Sequence, residues 1–85
     1  MTRVVMYATE WCPYCRRAEA LLRSKGAEIE KIDLDAAPHR RAEMQRRSGR
    51  RTVPQIWIGR THVGGCDELH ELERQGRLDS LLAAV

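Results

Sequence analysis

Two thiols stand two residues apart in Cys12-Pro13-Tyr14-Cys15, where an apolar, strand-like run gives way to a helix-like one. This pair constrains the fold more than any other stretch, because its residues suit successive positions at the start of a helix. Cys12 fits the N-cap, where unpaired backbone N–H groups favour negative charge. Pro13 fits the first helical position, whose N–H has no intrahelical partner in any case. Cys15 falls one turn on, beside Ala18 and Leu22 on the stripe expected to be buried. One sulfur is therefore expected to be exposed and activated by the helix start, and the other close behind it and sheltered. A thiol–disulfide exchanger needs that asymmetry, since its rate follows the thiolate fraction of the attacking sulfur.

The flanking pattern places the motif in an α/β fold. Arg3 to Ala8 is apolar on both parities, as in a strand covered on both faces. Pro13 to Lys25 carries Cys15, Ala18, Leu21 and Leu22 at helical spacing, and Gly26 follows as a stop. Ala27 to Leu34 reads as a second strand whose Glu28, Glu30 and Lys31 suit an edge. Such a β-α-β unit makes its strands parallel with a right-handed crossover. Pro38 to Arg47 reads as a short, weakly amphipathic helix ending at Ser48-Gly49. Thr52 to Ile58 contains a third strand, turned by Gly59-Arg60 into Thr61-His62-Val63. Gly64-Gly65 breaks the return strand, and Cys66-Asp67 opens a helix that buries Leu69 and Leu72, with Gly76 as its stop. A last short helix from about Asp79 packs Leu81, Leu82 and Val85. The order β-α-β-α-β-β-α(α) implies a four-stranded mixed sheet with helices on both faces. Residues 1–85 read as one domain, because a chain this long buries roughly 60–65% of its unfolded surface around one modest core.

Composition matters where it excludes. The runs Val4 to Ala8 and Leu81 to Val85 fall far short of a membrane span or a secretory signal. The expected location is the cytoplasm, where structural disulfides are rare and paired cysteines read as catalytic or metal-binding. Three cysteines would also leave one unpaired. The net charge of +3 is unevenly placed: His39 to Arg51 holds six arginines against Glu43 alone. Those arginines read either as a solvated face or as an attraction for an anionic small molecule. Nucleic acid ranks third, because no Phe, Tyr or Trp lies between Tyr14 and Trp57 to stack on bases. His39, His62 and His70 are unremarkable in placement, and none sits at zinc-site spacing from the C-x-x-C.

The element order, with Cys12-Pro13-Tyr14-Cys15, Thr52-Val53-Pro54 and Gly64-Gly65-Cys66-Asp67, resembles the dithiol glutaredoxins of the C-P-Y-C type, which have a thioredoxin-like fold. The similarity runs from Tyr7 to the final helix. It implies a glutathione-dependent disulfide oxidoreductase, catalytic through Cys12 and Cys15, acting on protein disulfides and on glutathionylated proteins. Glutathione would be a co-substrate, with no tightly bound cofactor, metal, membrane or nucleic acid, and the protein would work as a monomer. The resemblance implies a cis Val53-Pro54 bond that presents Val53 to the cysteinyl part of glutathione, with Tyr14 and Thr52 alongside. It also implies that the γ-glutamyl end meets the helix start at Gly65 and Cys66, with Asp67 on its ammonium. Glutaredoxin potentials of about −200 to −230 mV lie above thioredoxin's roughly −270 mV, within reach of the glutathione pool.

Without the resemblance, Pro54 marks a strand start and Asp67 caps a helix. Cys66 reads as small packing with a useful N–H or, if exposed, as a further thiol for mixed disulfides. Trp11 reads as a lip beside Cys12, and Trp57 as core. Arg16 and Arg17 lie near enough to favour the Cys12 thiolate, but rank below the helix start because water screens exposed charges. One departure stands out: Thr9-Glu10 occupies the place where many glutaredoxins carry a lysine, so Arg41 or Arg51 is expected to meet the glycine carboxylate. Three rivals remain. A thioredoxin-reductase-dependent redoxin would lack the anion-binding helix start. A metal module would use Cys12, Cys15, Cys66 and a histidine, although Pro13 removes an N–H donor to thiolate sulfur. The third is an arginine-rich nucleic-acid binder.

Overall fold

β1 (Val4–Ala8) is buried on both faces, with only Val5 half-covered, which is why its sequence is apolar at every position. The computed structural model describes residues 1–84; Val85, expected to pack with the last helix, lies outside the described residues. Beside β1 run β2 (Ile29–Asp33) on one side and β3 (Gln55–Ile58) on the other, followed by β4 (Thr61–Gly64), in the order β2-β1-β3-β4. β2 is parallel to β1, with Val4 opposite Ile29. β3 is antiparallel, with Tyr7 opposite Gln55, and β4 returns antiparallel along β3. The expected four-stranded mixed sheet is present, with β2 on one edge exposing Glu30, Lys31 and Asp33.

β2 is shorter than its sequence pattern suggests, whereas β3 starts where Pro54 marks it. The Ala27 N–H bonds to the Leu22 carbonyl at 3.1 Å, closing the preceding helix rather than joining the sheet. Pro54 has no N–H to give, so β3 begins only at Gln55.

Three helices cover one face: α1 (Pro13–Ser24), α3 (Cys66–Arg74) and α4 (Leu78–Ala83). They press Cys15, Ala18, Leu22, Cys66, Leu69, Leu78 and Leu82 onto Val4, Met6, Ala8, Ile56 and Ile58. Gly26, at φ 78°, ends the first connection in the left-handed region where a Cβ would be strained. α2 (Arg41–Ser48), after a 3-10 turn at Pro38–Arg40, covers the other face. It buries only Met44, against Tyr7, Ile32, Leu34 and Trp57.

Polar contacts supply what α2's thin apolar stripe does not. The Arg47 guanidinium lies 4.4 Å from the Trp57 ring centre, and its Nη1 donates to the Tyr7 hydroxyl at 2.8 Å. That hydroxyl donates in turn to Glu43. Burial, then the Glu43 contact, raises the Tyr7 phenol above its ordinary range.

Leu69 is fully buried at the centre of α3. Leu69→Ala removes apolar contact and leaves a cavity, so an expected cost is about 2–5 kcal/mol. Urea unfolding followed by circular dichroism measures it, and a loss below about 1 kcal/mol would contradict this packing.

Candidate active site

Cys12 turns the chain from β1 into α1 with extended torsions, φ −106° and ψ 107°, and caps the helix with its own side chain. Its Sγ accepts the Cys15 N–H at 3.1 Å, meeting one of the donors that a helix start leaves free. Turned inward this way, Cys12 is half-buried against the edge of the apolar core rather than exposed as its sequence position suggested. Across from it, the Val53 carbonyl oxygen lies 3.9 Å from Sγ, and the Val53-Pro54 peptide is cis.

Cys15 is only 3% exposed. Burial, and then the neighbouring Cys12 side chain, push its thiol up to about 12. The two sulfurs of the motif are thus unequal, because one reaches the surface and the other stays in the core.

A second wall comes from the start of α3. Gly64 has φ 111°, and a Cβ there would lie 2.7 Å from Glu68 Oε1 and 2.9 Å from Arg50 Nη1. A Cβ on Gly65 would lie 3.3 Å from the Pro54 carbonyl, so the glycine pair lets this helix start close against the Val-Pro turn. Glu68 Oε1 accepts the Gly65 N–H at 2.7 Å and Arg50 Nη1 at 3.0 Å. The Gly65 N–H foremost, with Arg50 assisting against partial burial, holds the Glu68 carboxyl below its usual range.

Between these walls lies a groove of about 240 Å³. Tyr14, Thr52, Val53 and Pro54 line it together with Gly65, Cys66 and Asp67, so these seven sequence-selected residues meet in one place. Arg50 and Glu68 complete the lining. Arg41 and Arg51 fall outside it: an Arg41 Nη1 donates to the Arg51 carbonyl at 3.2 Å, tying the two to each other. The arginine that lines the groove is Arg50, paired with Glu68, and nothing in the arginine run distinguishes it from its neighbours.

Arg16 and Arg17 lie over aromatic rings, at 5.3 Å from Trp11 and 5.9 Å from Tyr14. Trp11 is 80% exposed beside the motif, whereas Trp57 is core. The Cys66 sulfur is buried 3.4 Å from His70 Nδ1, and burial raises its thiol. Among the described residues, no group of three or more His, Cys, Asp or Glu side chains is placed to hold a metal ion. No helix there is long and apolar enough to cross a membrane.

A dithiol at the head of the first helix of this mixed sheet, with one open and one buried sulfur, defines a thiol–disulfide oxidoreductase of thioredoxin-like fold. The glutaredoxin family model matches residues 4–63. A glutaredoxin from Pseudomonas aeruginosa is 60% identical over 99% of this chain and 100% of its own length. The solution structure of glutaredoxin from Brucella melitensis is 61% identical, with a TM-score of 0.83 over 96% of this chain and 89% of that one. The crystal structure of a buckwheat glutaredoxin–glutathione complex is 35% identical, with a TM-score of 0.86 over 93% of this chain and 74% of that one. The chain belongs to the glutaredoxin family.

The inequality of the sulfurs has a signature in stability. An unfolded chain ionises Cys15 near the ordinary value of 9.0, whereas the fold holds the proton up to about 12. The unfolded state therefore binds fewer protons between those values. The contribution of Cys15 to stability is whole below pH 9 and is lost as pH rises toward 12. In reduced protein, Cys15→Ser should flatten the decline in the urea midpoint between about pH 8 and about pH 10.5, relative to the parent. Equal declines in the two proteins would contradict the assignment.

Proposed function

We propose that this chain reduces protein–glutathione mixed disulfides and protein disulfides with glutathione as its source of electrons. The carrying observation is the groove that runs from the Val53 carbonyl, 3.9 Å from Cys12 Sγ, to the glycine-lined start of α3. An extended cysteinyl unit can lie along the Val53 backbone with its sulfur at Cys12. The helix start at Gly65 and Cys66 suits the γ-glutamyl carboxylate, and Asp67 suits its ammonium. Arg50, beside Gly64 and paired with Glu68, adds positive charge at that same helix start. The glutathione bound in the buckwheat relative's crystal structure supports the same reading.

In the proposed reaction the Cys12 thiolate attacks the glutathione sulfur of a mixed disulfide. The protein sulfur leaves as a thiolate and takes up a proton, and glutathione stays bonded to Cys12. A second glutathione thiolate then attacks that glutathione sulfur, releasing oxidised glutathione and restoring Cys12. Alternatively, Cys15 loses its proton and attacks Cys12 Sγ, expelling glutathione and closing a Cys12–Cys15 disulfide that two further glutathiones reduce. With its thiol held up to about 12, Cys15 does not compete for the first attack, which favours the one-cysteine route for glutathionylated substrates. The protein would act as a cytoplasmic monomer without a tightly bound cofactor.

A glutathionylated peptide, glutathione, glutathione reductase and NADPH provide the assay. Cys12→Ser should fall to the uncatalysed background, whereas Cys15→Ser should keep its rate within about threefold. The reverse pattern would overturn the roles. Reduction by thioredoxin reductase at an equal rate without glutathione would favour the rival redoxin.

A further inference from the structure

Gln55 is the one fully buried polar side chain among the described residues, standing between Pro54 and the apolar Ile56-Trp57-Ile58. An amide in such a place destabilises the fold unless each polar atom finds a partner. Here both ends do. Nε2 donates to the Thr52 carbonyl at 3.0 Å and to Thr52 Oγ1 at 3.2 Å. Oε1 accepts from His62 Nε2 at 2.8 Å.

Thr52 lies upstream of β3, where Pro54 has ended the ladder, so its carbonyl takes this side-chain donor. The Thr52 carbonyl can only accept, so it fixes which way the amide points. The amide oxygen then faces His62, whose Nε2 donates to it and anchors the far end of the amide. The imidazole is itself fixed, 4.7 Å from the Trp57 ring centre and tilted 33° to it, and Arg47 lies near the same indole. A line of hydrogen bonds thus runs from β4, at the sheet edge, to the turn that lines the groove and places the Val53 carbonyl near Cys12.

We infer that Gln55 and His62 are positioning residues for the oxidoreductase reaction. His62 anchors the Gln55 amide oxygen, and the amide holds Thr52 so that the Val53 backbone faces Cys12 at the spacing the substrate's cysteinyl unit requires. Neither side chain lines the groove, and their effect passes through Thr52 and Val53. The inference rests on the glutathione reading above, and its consequence is specific to substrate affinity. A displaced turn weakens alignment of the bound disulfide and leaves the chemistry of Cys12 toward small reagents untouched.

The test compares Gln55→Glu, His62→Leu and His62→Gln with the parent. Gln55→Glu keeps the size but replaces both donors with an acceptor facing two oxygens. His62→Leu removes the donor that anchors Oε1, and His62→Gln restores one. The first two should raise KM for a glutathionylated peptide roughly tenfold, with kcat and the rate of Cys12 alkylation by iodoacetamide within about twofold of the parent. His62→Gln should recover most of the KM. Backbone order from 15N relaxation at Thr52 and Val53 should fall in His62→Leu and return in His62→Gln.

Parent-like KM in folded His62→Leu overturns the inference, as does a KM that rises equally in His62→Leu and His62→Gln. If Gln55→Glu does not fold, the His62 pair decides the matter. If the parent itself shows no saturation by the peptide, the glutathione reading fails. The relaxation data then decide the positioning claim alone, and unchanged order at Thr52 and Val53 in His62→Leu overturns it.

Discussion

The Cys12 sulfur caps a helix and, in the proposed reaction, is also the attacking atom. Its hydrogen bond from the Cys15 N–H pins the start of α1, and the same bond points sulfur lone pairs at a backbone donor that suits negative charge. Pro13 belongs to this arrangement, because it begins the helix without adding another N–H to satisfy. The position of the Cys12 sulfur is therefore set by the backbone of α1, and the walls of the groove are built against that fixed point. Cys12 is half-buried for the same reason: a sulfur that closes its own helix lies inward, along the edge of the core.

Burial sorts the three thiols. Cys15 and Cys66 both belong to the apolar cluster between the sheet and α1, α3 and α4. Burial is the leading cause of the upward shift in each. That leaves Cys12 as the thiol of the motif open to a disulfide. The glycine pair before α3 then makes the groove possible, since a side chain at Gly64 would collide with the Arg50–Glu68 pair. The fold fixes the sulfur and opens the groove by separate means: a helix start for the first, and close backbone approach between α3 and the Val-Pro turn for the second.

Much of this was legible in the sequence, because the signals were local. Pro13 after Cys12, the two-sided apolar run of β1, and Gly26 and Gly76 as stops each describe a few consecutive residues, and each holds in the structure. The strand end at Ala27 was not legible. There the deciding hydrogen bond runs to Leu22, and a period-two pattern does not register it. Arg50 was indistinguishable from Arg41 and Arg51 within a run of like charges, because only the close approach of Glu68 separates them. His62 looked unremarkable since its partner, Gln55, is seven residues away across a hairpin. One signal for Gln55 was present: a polar amide opening an otherwise apolar strand, where burial demands partners.

The central claim is that the half-buried sulfur capping α1, and neither of the buried ones, takes up the substrate's sulfur. Mass analysis tests it most directly: Cys15→Ser protein is exposed briefly to oxidised glutathione, quenched in acid, weighed intact and digested to map the adduct. The account expects one glutathione per chain, on the peptide that carries Cys12, with Cys66 unmodified. An adduct on Cys66 with Cys12 free, or no adduct at saturating oxidised glutathione, would contradict it.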